Sequence, residues 1–108
     1  MAFTAYHNIN TATDGINVEL IASGENISNL KSILLTNIDS AAITADLYIQ
    51  GSSSDTKYYF LYNTSLPVGA SLLLDSNDML GFNNSLSGYS LNLTMGSTSD
   101  LINVLIKR

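Results

Sequence analysis

Apolar residues recur at every second position in run after run of this chain, a period that fits β-strands and not amphipathic helices. In ITADLYIQ, Ile43, Ala45, Leu47 and Ile49 fall on one face, and Thr44, Asp46, Tyr48 and Gln50 on the other. The same pattern groups Tyr89, Leu91, Leu93 and Met95 in YSLNLTM, and Ile102, Val104 and Ile106 in LINVLIK. In INVELIA, Ile16, Val18, Leu20 and Ala22 alternate with Asn17, Glu19 and Ser23, and Ile21 breaks the rule. Strands with one apolar and one polar face belong to antiparallel sheets that bury a single side. No segment carries a sustained helical repeat.

Clusters of Gly, Asn, Asp and Ser punctuate these runs at short intervals, as in Asp14-Gly15, Ser23-Gly24-Glu25-Asn26 and Asn83 to Gly88. Such residues tolerate positive φ or bond their own backbone, and so favour turns. Strands are predicted over 16–22, 31–37, 42–50, 57–66, 71–75, 89–95 and 101–107, with a short eighth near 79–82. Seven to eight short strands with polar turns predict an all-β antiparallel β-sandwich, jelly-roll-like or immunoglobulin-like. The organisation expected is a polar N-terminal arm over residues 1–12 and one sandwich domain over 13–108.

The surface is expected to be neutral and polar. Charged residues make up only 12% of the chain, whereas Asn, Ser and Thr together supply a third of it. At 45% apolar the sequence is hydrophobic enough to fold. A net charge of −5 and just four basic residues argue against nucleic acid and acidic membranes as partners. The chain has no cysteine, hence neither disulfides nor thiolate chemistry. The opening MAFTAYHNIN lacks the basic and apolar regions of a secretory signal, so the chain reads as made in the cytoplasm.

The stretch YYFLYNTSLPVGASLLLD, Tyr58 to Asp75, holds half of the tyrosines and the only proline. Strict alternation sends Tyr58, Phe60 and Tyr62 one way, and Tyr59, Leu61 and Asn63 the other. Pro67 and Gly69 then break the strand, and Leu72 and Leu74 resume on one face. A corner of a sandwich core accounts for nearly all of this. Tyr59, with Tyr48 on the polar face of a neighbouring strand, is left over as a candidate exposed aromatic pair.

No residue set announces catalysis. The single histidine, His7, lies in the polar arm and reads as solvated. Asp75 to Asp78, DSND, offers oxygens to a calcium ion but reads as an ordinary turn. The nine acids are scattered, and nothing selects a catalytic pair. Four Asn-X-Ser/Thr sequons, at Asn26, Asn63, Asn83 and Asn92, are what such a composition produces by chance. The expectation is therefore a non-enzymatic protein with no catalytic, cofactor or metal site.

NLKSILLTNIDSAAITADLYIQ, KYYFLYNTSLPVGASLLLD and YSLNLTMGSTSDLINVLIKR together resemble the small all-β virion proteins of tailed bacteriophages, cyanophages in particular. The resemblance implies a sandwich that binds other virion proteins and carries no catalytic site; the role expected first is that of a decoration or cement protein on the outer capsid. Its expected location is the virion, after synthesis in the host cytoplasm. Expected partners are the major capsid protein or other virion proteins, together with further copies of the chain, for example as a trimer. A neck, tail or fibre-attachment adaptor is the alternative place in the particle. Phe3, Tyr6, Tyr48 and Tyr59 are the candidate contact residues, as aromatics that a monomeric core does not require. Within the arm, Phe3, Tyr6 and Ile9 would order on a partner; a frayed end or an added edge strand are the other readings. A carbohydrate-binding module with Tyr48 and Tyr59 stacked on sugar rings is the competing class.

Overall fold

The period-two runs become two four-stranded antiparallel sheets that share one core. A computed structural model describes residues 5–26, 30–52, 56–75 and 80–108. The strands are β1 (Ala5–Asn10), β2 (Asn17–Ile21), β3 (Ser32–Asn37), β4 (Ile43–Gly51), β5 (Lys57–Leu66), β6 (Ser71–Leu74), β7 (Tyr89–Met95) and β8 (Leu101–Lys107). One short helix, α1 (Thr11–Asp14), follows β1. One sheet has the order β1-β8-β3-β6, here sheet I; the other has the order β2-β7-β4-β5, here sheet II. The antiparallel pairs are nested: β1 with β8, β2 with β7, β3 with β6 and β4 with β5. Successive pairs fall alternately in sheets I and II, giving a sandwich-like architecture.

The inner faces carry the residues that the alternation selects. Leu35 lies between Val104 and Leu72 across sheet I, and Leu47 between Leu93 and Leu61 across sheet II. Ile33, Leu35, Leu47, Leu91, Leu93, Ile102, Val104 and Ile106 are fully enclosed in one cluster. Burial on this scale is the main term favouring the fold, at about 25 cal/mol per Å² of apolar surface.

Two departures from strict alternation have a structural cause. In β2, Glu19 pairs with Asn92 and Ile21 with Leu91, so Leu20 is an extra, bulged residue. The bulge lets both Leu20 and Ile21 enter the core, which accounts for the misplaced Ile21. In β5 the register shifts twice, between the Ala45–Thr64 and Leu47–Leu61 pairs and again before Tyr48–Tyr59. Asn63 takes a positive φ of 50° there, and its N–H donates to the Asp46 carboxylate. These shifts place Phe60 and Leu61, neighbours in sequence, both against the core.

From Ala5 onward the expected N-terminal arm is an edge strand. Ala5, His7 and Ile9 pair with Ile106, Val104 and Ile102, and Ile9 is buried. His7, Asn8 and Asn10 interrupt its apolar pattern, which left an added edge strand as one of three readings of the arm. The eighth strand is thus β1, and residues 80–82 form none. Phe3 lies outside the described residues, as do residues 76–78 of the DSND turn.

Buried polar side chains tie the loops to the sheets. Thr11 donates from its backbone N to Asp100 O at 3.0 Å and from its hydroxyl to Ser97 O at 2.8 Å, and accepts from Asp100 N at 2.8 Å. Asn84 donates to Ala22 O at 2.9 Å and to Tyr89 O at 2.8 Å, joining the ends of β2 and β7. Buried donors and acceptors cost about 1–3 kcal/mol each when left unpaired, so these contacts fix loop positions firmly.

Candidate functional site

The outer face of sheet I carries an apolar row that crosses all four strands. Tyr6 pairs with Leu105, Leu105 with Leu34, and Leu34 with Leu73. All four side chains are on the outward parity, because their strand neighbours Val104, Ile33, Leu35 and Leu72 face the core. The two ends are the most open, Tyr6 at 68% and Leu73 at 50%. At a strand spacing of about 4.8 Å the row is about 14 Å long. Leu34, Leu73 and Leu105 are on the face turned away from the core; Leu34 and Leu105 are partly covered by their neighbours, and Leu73 is half exposed.

A polar row runs beside it. Asn8 pairs with Asn103, Asn103 with Thr36, and Thr36 with Ser71; the Thr36 and Ser71 hydroxyls are 2.9 Å apart. At the centre of this row, Asn103 Oδ1 is enclosed and accepts no hydrogen bond among the described residues. An apolar strip next to an unpaired acceptor has the composition of an interface core with its polar margin.

Of the candidate contact residues within the described structure, Tyr6 alone belongs to this row. Tyr48 is not an exposed anchor: it is 4% accessible. Its hydroxyl lies 3.0 Å from Thr94 Oγ1, and Lys57 Nζ sits 4.8 Å from its ring centroid. Tyr59, its register partner, packs on it with ring centroids 5.4 Å apart and a tilt of 53°. Tyr59 in turn meets Tyr62 edge to face at 4.8 Å. The bulges in β5 are the reason, because they set Tyr59 and Tyr62 together against the strict alternation. The pair is therefore side by side as expected, but Tyr48 is covered and the rings do not form a flat platform. Leu34, Leu73 and Leu105 were missed, although their signal is present: each is an apolar residue on the polar parity of an otherwise regular strand.

His7 is half-buried and not freely solvated. It faces the interior side of β1 and lines a cavity of about 430 Å³ between the edges β1 and β2, which Asp14 and Glu19 also line. Its Nε2 is enclosed without a hydrogen-bond partner, and burial lowers its pKa below 6.5. The unfolded chain then binds a proton more readily than the folded one, so stability falls as pH drops below about 6.5. The urea midpoint should decrease between pH 7.5 and 5.5, and His7→Leu should flatten that slope. Asp100 works in the opposite sense. Burial and the nearby Asp39 raise its pKa above 3.8, partly offset by a backbone hydrogen bond from Ser97. Its share of stability is lost as pH rises from 3.8 through that raised value.

Among the described residues, no three His, Cys, Asp or Glu side chains are grouped as metal ligands. No protein-family model matches the chain, and no curated protein matches its sequence.

Proposed function

We propose that this chain is a non-enzymatic structural protein of a tailed-bacteriophage virion, a jelly roll that decorates or cements the outer capsid surface. The nested pairing of strands supports the jelly-roll assignment. A long antiparallel ribbon that wraps so that alternate pairs fall in opposite sheets gives the orders β1-β8-β3-β6 and β2-β7-β4-β5. Jelly rolls are common in capsid and lectin domains, so fold alone does not choose between them.

The observation that carries the assembly reading is the apolar row Tyr6, Leu105, Leu34 and Leu73 on an outward sheet face. Contiguous outward apolar residues with a polar margin mark protein contacts. A cement protein acts by burying surface between capsid subunits, and a neutral-polar coat suits contact with many neighbours. The partner is the major capsid protein or another virion protein, with association of copies, for example as trimers, contributing further area.

Co-sedimentation of purified protein with phage heads tests this surface. Tyr6→Ala with Leu73→Ala should weaken binding about 10- to 100-fold, the effect of removing one or two interface anchors. Leu86→Ala, at an exposed residue of the β6–β7 connection, should bind as wild type. Equal binding by all three proteins would remove the sheet I face from the account.

A further inference from the structure

A cavity of about 260 Å³ opens at one end of the sandwich, where β4 runs into β5. We infer that it binds one ring of a neutral sugar, through Tyr58 and Tyr89 as aromatic walls and Thr56, Asn83 and Ser87 as hydrogen-bonding groups. The inference stands apart from the virion reading, because these residues share nothing with the outer face of sheet I.

The composition of the wall selects the ligand class. Among the described residues, no carboxylate, ammonium, guanidinium or imidazole lines the cavity; the lining side chains are two phenol rings, three aliphatic hydroxyls and one amide. A charged ligand would lose hydration there with no opposite charge in return. A purely apolar one would cover the Ser52 and Ser87 hydroxyls and the Asn83 amide nitrogen without offering them a hydrogen bond. A pyranose satisfies both parts, since its C–H face packs on an aromatic ring while its hydroxyls donate and accept at the rim. Tyr58 and Tyr89 meet at 83° with centroids 6.0 Å apart, so they form a floor and a wall. Tyr58 keeps 55% of its surface open. The volume is below the roughly 300 Å³ at which pockets for drug-sized ligands begin, which suits a single ring.

The wall is also set in advance. Tyr89 N donates to Asn83 O at 2.7 Å, Gly88 N to Ser85 O at 2.9 Å, and Ser52 N to Gly88 O at 3.1 Å. A Cβ at Gly88 would stand 2.4 Å from Asn83 O, so only glycine allows this closure of the loop. Ser85 N donates to Asn83 Oδ1 at 3.0 Å, which leaves the Asn83 amide nitrogen as the group offered to a ligand. A loop held this way loses little freedom on binding, and that lowers the cost of capturing a small ligand.

Titration of the isotope-labelled protein with glucose, galactose, mannose and N-acetylglucosamine, followed by amide NMR shifts, tests the site. At least one sugar should saturate shifts at Gly51, Ser52 and Gly88, with a dissociation constant of about 1 mM. Tyr58→Ala should weaken it at least about 10-fold, Tyr58→Phe should retain it, and Tyr59→Ala should leave it unchanged. The inference is overturned if no sugar shifts those amides at up to about 50 mM. Shifts centred on Tyr59 and Tyr62, or undiminished binding by Tyr58→Ala, would overturn it equally.

Discussion

Replacing Asn37 with Leu should lower the unfolding free energy by about 3 kcal/mol and the melting temperature by about 10–15 °C. Asn37 ends β3 and is 1% accessible. Its amide nitrogen donates to Ala41 O at 3.0 Å, Leu66 O at 2.9 Å and Pro67 O at 3.1 Å, and its Oδ1 accepts from Asp39 N at 2.7 Å. One side chain thus holds the β3–β4 connection and the β5–β6 corner together. Leucine has a similar volume but leaves these groups unpaired, and buried polar groups without partners carry the full cost of lost hydration. Asn37→Asp separates donor loss from packing. Its ionised carboxylate would face three carbonyl oxygens, so the variant should be less stable at pH 7 than at pH 4, measured by urea unfolding. Wild-type stability for both variants would show that the hub is dispensable.

Leu47→Ala should cost about 3–4 kcal/mol, read as a lower urea midpoint at unchanged slope. Leu47 is fully enclosed in β4, flanked by Leu93 on β7 and Leu61 on β5. Truncation removes transfer energy and leaves a cavity that β4, an interior strand of sheet II, cannot easily close. Leu73→Ala removes the same atoms from an outward position and should cost under about 1 kcal/mol. Similar losses at the two sites would mean that the outer face of sheet I is packed against something within the chain.

What the sequence made legible follows from what alternation can encode. The bounds of β5, Lys57–Leu66, β7, Tyr89–Met95, and β8, Leu101–Lys107, agree with the predicted strands: Pro67 stops β5 despite its bulges, and regular apolar spacing marks β8 and also β7, which Gly96 stops. β1 was legible only as one of three readings of the arm, since Tyr6, Asn8 and Asn10 are outward and only Ile9 is a large apolar residue facing in. The covering of Tyr48 was not legible either. It depends on extra residues in β5, and a bulge changes which side chains meet without changing composition. Asn37, Asn84 and Thr11 read as turn formers, which they are, but their burial arises from strands distant in sequence. The order of strands is non-local in the same way. The apolar row on sheet I could have been found: Leu34, Leu73 and Leu105 each stand opposite to the core parity of their own runs.

Immunogold labelling of particles purified from lysates that contain this chain tests the virion assignment most directly. Gold distributed over the heads is the expected result, and the double variant Tyr6→Ala, Leu73→Ala should reduce it. Gold confined to the neck or tail would contradict the decoration role while keeping the chain in the particle. Particles that stay unlabelled both intact and after dissociation would contradict the virion assignment itself.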